Sequence, residues 1–197
     1  MIDSLVTKVK GFLLNPVETF RQSKNDGFQP VFVYFGVLLL INAVLSAIIA
    51  AVGIAVMPAE FSTLFGLALP VAVFLIMLVG GCILTLIFAA WLHLWVYILG
   101  GRKGIMQTIN AVIYGSTPRL LLGWIPFIGI LFSLWSLILG ILGIRELQEM
   151  STGKAILAFV IAIVIPLIII ILIAAWLLVS LVSVTAVPEA PYNVGFV

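Results

Sequence analysis

The chain has 197 residues, of which 64% are hydrophobic and only 8% charged. Ordinary soluble domains carry roughly 25% charged residues, so this composition excludes a water-covered globule and calls for lipid as the main solvent. A net charge of +2 gives no reason to expect a nucleic-acid partner, and the single cysteine, Cys82, excludes an internal disulfide and a cysteine-based metal site.

The most polar stretch, residues 1–29, comes first. It lacks the continuous apolar run and small-residue cleavage site of a signal peptide, and no lipidation signal is expected at either end. Ile2, Leu5, Val6, Val9, Phe12 and Leu13 recur at helical spacing, which predicts a short amphipathic helix on the membrane surface. Asn15-Pro16 restarts the chain: Asn15 suits an N-cap, Pro16 the first helical position, and Glu18 the far side of a capping box. A second surface helix is expected through Lys24, presenting Val17 and Phe20 to one side and ended by Asn25-Asp26-Gly27.

Five apolar segments follow, at about 30–57, 70–99, 104–122, 126–144 and 155–182, with an outer tail at 184–197. A span needs roughly 20 residues. The third segment reaches that length only by holding Asn110, Ser116, Thr117 and Arg119 against protein. The runs are long and apolar all round rather than alternating, which predicts helices and not a barrel. The expected fold is therefore all-α: a polytopic bundle of five transmembrane helices preceded by short amphipathic surface helices.

Basic residues mark every second connection. Lys8, Lys10, Arg21 and Lys24 precede the first segment, Arg102 and Lys103 follow the second, and Arg145 and Lys154 flank the loop after the fourth. By the positive-inside rule this predicts a cell-membrane protein with a cytoplasmic N-terminus and an outward C-terminus.

Helices in lipid associate through close packing and buried polar contacts. The fourth segment has a stripe for this in Gly129, Ser133, Ser136, Gly140 and Gly143; the first has one in Asn42, Ser46, Ala50 and Gly53. Asn42, Thr85 and Asn110 are expected to form interhelical hydrogen bonds.

Few residues could carry chemistry. His93, the single histidine, could relay protons or bind a metal. It fits better as an interfacial residue of an aromatic belt with Trp91, Trp95 and Tyr97. Arg119 lies in the outer half of the third segment, where an arginine marks a partner or a pathway, or reaches for headgroups. Pro118 frees the carbonyl of Tyr114, which adds an acceptor beside it. No metalloprotease, nucleophile-elbow or paired-aspartate pattern is present, so no enzyme activity, no cofactor and no metal is expected.

One stretch resembles a known family. It runs Val112-Ile113-Tyr114-Gly115-Ser116-Thr117-Pro118-Arg119-Leu120-Leu121, then Trp124-Ile125-Pro126-Phe127-Ile128-Gly129. It continues through Leu134-Trp135, Gly143-Ile144 and Glu149-Met150-Ser151-Thr152-Gly153-Lys154-Ala155. This order is similar to prokaryotic members of the Yip1 domain family, and Asn15-Pro16 with Thr19-Phe20 resembles their N-terminal segment. The resemblance implies five transmembrane helices with the N-terminus inside. Eukaryotic members act in vesicle traffic and bind Rab-type GTPases. That role is not expected to carry over: about 29 residues precede the first span here, and the Asp-Leu-Tyr-Gly-Pro element is absent.

Two functions fit these features. The first is a membrane scaffold or interaction protein that packs with itself or with other membrane proteins in the lipid bilayer. The alternative is a transporter or channel for a small solute or ion, through a polar site formed near Arg119, Pro118, Asn110 and Tyr114.

Overall fold

The computed structural model describes residues 2–185, and among them there are helices and no strands. In chain order these are α1 (Ile2–Leu14), α2 (Pro16–Gln22), α3 (Phe28–Ala55), α4 (Ala59–Phe65), α5 (Ala68–Leu75), α6 (Gly81–Ile98), α7 (Ile105–Gly115), α8 (Thr117–Leu122), α9 (Ile128–Leu147) and α10 (Thr152–Thr185). A 3-10 turn over Ser23–Asn25 follows α2, and a π turn over Ile76–Gly80 joins α5 to α6. The chain divides into two compact units at Phe159. In the first, the helices pack on one another. The second is described as the remainder of α10, in which Leu167 through Ile173 are exposed isoleucines and leucines. The outer tail expected at 184–197 lies almost wholly outside the described residues.

Among the described residues four helices, rather than five, are each long and apolar enough to cross a membrane: Phe28–Ala55, Ala68–Ile98, Ile128–Leu147 and Thr152–Val182. The third expected segment is instead the pair α7 and α8, of 11 and 6 residues. Pro118 is the cause. It has no N–H for Tyr114, and its ring crowds the preceding turn. The Thr117 hydroxyl takes over, donating to the Tyr114 carbonyl at 2.6 Å, while Ser116 Oγ donates to Ile113 at 2.7 Å. Two side chains thus satisfy a backbone that the broken helix leaves open.

The broken pair runs antiparallel to α9 along the whole length of that helix. Gln148 Nε2 donates to the Gly104 carbonyl at 2.8 Å, Gly143 packs on Ala111, Gly115 on Gly140, and Ser136 accepts from the Arg119 N–H at 2.9 Å. From 105 to 122 the pair covers about 27 Å at 1.5 Å per residue, close to the roughly 30 Å of α9. Gly115 sets the separation. A Cβ there would stand 2.8 Å from both Cα and N of Gly140, so the backbones meet without a side chain between them.

The N-terminal helices lean on this hairpin. Phe12 and Phe20 are fully buried: Phe12 stacks on Tyr114 at 4.5 Å, and Phe20 lies over Gly143. The expected capping box does not form. Asn15 makes no side-chain cap, and its own N–H, which Glu18 would accept in a capping box, bonds back to Gly11 at 2.8 Å, while its carbonyl accepts from Thr19 at 3.1 Å. The α1–α2 corner is therefore closed by backbone bonds.

Candidate functional site

Polar side chains gather in two places within the first unit, one at the end carrying the basic loops and one near the far end of the α7–α9 hairpin. At the basic end, Asp26 occupies the centre of a half-buried corner. Its carboxylate accepts from Lys8 Nζ at 2.5 Å and from the Tyr114 hydroxyl at 2.5 Å, and Lys8 also donates to Tyr114 at 3.0 Å. The Asp26 carbonyl takes a hydrogen bond from Asn110 Nδ2 at 3.1 Å, which leaves Asn110 Oδ1 buried without a partner. Tyr114 is fully buried, and Tyr34 extends the cluster through Thr117 at 2.8 Å. Carboxylate, ammonium and phenol satisfy one another in a half-buried setting, where one-sided removal is costly.

Around this corner lies a platform of ion pairs. Arg21 Nε meets Glu146 at 2.8 Å, Arg145 grips the same carboxylate, and Glu149 bridges Lys24 and Lys103. Hydrogen bonds from Lys103 and then Lys24 hold the Glu149 carboxyl down at about 2. Hydrogen bonding to Glu146 raises Arg21 above its ordinary value. Gly100 and Gly104, both at positive φ, make the turn that brings Lys103 to Glu149. Beside it, His93 Nδ1 lies 2.8 Å from Thr108 Oγ1, which accepts from Gln148 Nε2 at 3.0 Å. His93 is thus tied to a buried polar relay that pins α6, α7 and α9.

At the far end, Arg119 borders an open cavity of about 320 Å³ with Asn42, Ser46, Met77, Trp124 and Ser133. Asn42 Nδ2 donates to the Leu120 carbonyl at 3.0 Å, fixing α3 to α8. The Arg119 N–H and carbonyl are both engaged, with Ser136 and with the Gly123 N–H. Among the described residues its guanidinium forms no salt bridge.

The structure therefore separates the residues picked from sequence. Asn110 and Tyr114 join Lys8 and Asp26; His93 joins Thr108 and Gln148; Arg119 lies apart. Pro118 is buried at the break between α7 and α8. Of the α9 stripe, Gly140 and Gly143 pack against protein, Ser136 holds Arg119, Gly129 approaches Gly123, and Ser133 borders the cavity. Asp26 was legible only as a helix stop. One signal could have marked it: it is the one carboxylate between Glu18 and the end of the first apolar segment. Its partner Tyr114 is 88 residues away in sequence. Among the described residues no group of histidine, cysteine and carboxylates could hold a metal ion.

A family model described as Yip1 domain matches residues 10–177. No curated protein and no solved structure matches the chain.

Proposed function

The chain belongs to the Yip1 domain family, and from that footing we propose that it is a non-catalytic scaffold or interaction protein of the cell membrane, with a cytoplasmic N-terminus. That it is a multi-pass membrane protein in contact with lipid follows from its family and its four long apolar helices. The observation that carries the finer reading is the ion-paired platform. Arg21, Lys24, Lys103 and Arg145 converge on Glu146 and Glu149, joining the N-terminal helices to α7 and α9 as one polar face. Titratable groups there neutralise one another, which suits a rigid docking face better than a reaction centre. The clustering of basic residues at one end supports the cytoplasmic assignment.

The partners are expected to be further copies of the chain or other membrane proteins. Crosslinking in cells, combined with mass measurement in nanodiscs, tests this. Oligomers or captured membrane proteins are expected. A strictly monomeric protein that captures nothing would end the scaffold reading.

A carrier or channel is favoured by one observation, the cavity at Arg119. Against it, the lining goes no deeper than Asn42 and Arg119, and the close Gly115–Gly140 packing lies beneath. Solute flux into proteoliposomes decides. Flux that falls in Arg119→Ala would support a carrier; equal flux in both proteins, or none, removes it.

A further inference from the structure

We propose that the Arg119 cavity is a binding site for the phosphate of an anionic phospholipid in the leaflet opposite the charged platform. This rests on the chain being a membrane protein and not on the scaffold reading. The starting point is charge. Asp26, Glu146 and Glu149 each have a cation at the basic end, while Arg119 forms no salt bridge among the described residues. Among the described residues no acidic side chain lines its cavity. A guanidinium at membrane depth is costly without a counter-ion, and none of the described residues supplies one to Arg119.

The backbone around Arg119 is already occupied. Its N–H donates to Ser136, its carbonyl accepts from Gly123, and Asn42 is held on the Leu120 carbonyl. What remains free to recognise a ligand is the planar fork of the guanidinium, whose geometry matches two phosphate oxygens at once. Ser46 lines the same cavity and adds a hydroxyl. Arg119 is about 5 Å, three residues of helix, from the end of α8, a depth that a headgroup phosphate reaches.

The walls distinguish a lipid from a free anion. Besides Gly123 and Ser133, the rest of the lining is Ile49, Met77, Leu120 and Trp124, and Ile49 and Met77 are exposed on α3 and the π turn. The cavity is thus bordered by hydrocarbon-facing side chains. The cavity is open, with a volume of about 320 Å³, so a phosphate and its glycerol ester can enter while the acyl chains stay in the bilayer. Met77 reaches it from the π turn over Ile76–Gly80, a local widening of the helix that often accompanies functional sites.

The test uses the full chain in neutral detergent, titrated separately with phosphatidylglycerol, phosphatidylcholine and inorganic phosphate. Retained lipid is counted by native mass spectrometry. Wild type should retain phosphatidylglycerol, and Arg119→Gln should weaken retention by about tenfold or more. Lys10→Gln, which removes one charge elsewhere, should leave it unchanged. Equal retention by the two variants would overturn the proposal. So would Arg119-dependent binding of inorganic phosphate as strong as that of the lipid, which would point to a free anion. If Arg119→Gln does not fold, Ser46→Leu fills the cavity and keeps the arginine. Loss of retention is then expected, and unchanged retention overturns the assignment.

Discussion

The two ends of the α7–α9 hairpin handle charge in opposite ways. At the basic end Asp26, Glu146 and Glu149 each take at least one cation, the Tyr114 phenol donates to Asp26, and His93 pairs with Thr108. At the far end Arg119 borders a cavity that no acidic side chain lines among the described residues. The same helices connect both. The contrast teaches that side-chain satisfaction belongs to an end of the bundle and not to a helix. One end is closed by ion pairs within the chain, and at the other the arginine has no ion pair among the described residues.

The comparison depends on the hairpin holding its spacing, so the largest effect is expected there. Gly115→Val drives a branched side chain into the Gly140 backbone. Overpacking of this kind costs about 1–3 kcal/mol or more, and here no flexible side chain can give way. Thermal unfolding in detergent should show a large loss of stability or no folded protein. Gly53→Val, where a Cβ meets nothing within 4 Å, should be nearly silent. Equal effects at both glycines would break the hairpin account.

Next comes Asp26→Asn. It leaves Lys8 without its counter-ion in a half-buried corner, at an expected cost of about 1–3 kcal/mol. Lys24→Gln, in the exposed platform, should cost about 0–1 kcal/mol. A double variant, Lys8→Met with Asp26→Leu, should recover part of the Asp26→Asn loss, because no unpaired charge remains. A cost of Lys24→Gln equal to that of Asp26→Asn would show that the corner is no more protected than the surface.

Tyr114→Phe sharpens the same contrast with a smaller change. It keeps the stack with Phe12 and removes the hydroxyl that donates to Asp26. A loss of about 1 kcal/mol is expected, and Tyr97→Phe, on an exposed ring, should lose less.

The smallest effect concerns pH. The Glu149 carboxyl is held at about 2, below its ordinary value of 4.5, by Lys103 and Lys24. A depressed carboxyl contributes stability that is complete above the unfolded value and lost as pH falls through the folded one. The contribution should therefore fade between about pH 5 and pH 2. Glu149→Gln should flatten the unfolding curve in that window and change little above pH 6. An unchanged acid limb would mean that the bridge is not formed in solution.

Much of this architecture was open to reading from composition alone. Long charge-free runs can only be helices in lipid, because backbone groups there must be satisfied within the segment. The third segment shows the limit. Its length and flanking charges pointed to one span, and Pro118 was visible as a break, but the two short helices follow from where Thr117 and Ser116 direct their hydroxyls. The candidate site divides in the same way. Arg119 announces itself, because arginine is rare in apolar sequence. Asp26 does not, because an aspartate before a glycine looks like any turn.

Residue identity by itself determined the solvent, the helices and the end of the bundle where basic residues collect, since each depends on the hydration energy of individual side chains. Only the folded chain decided that Lys8, Asp26, Asn110 and Tyr114 meet, that Gly115 rests on Gly140, and that Arg119 faces a cavity. Contacts across such sequence distances depend on how helices dock, and in lipid that docking is set by shape and by pairs of polar groups, which no local pattern encodes.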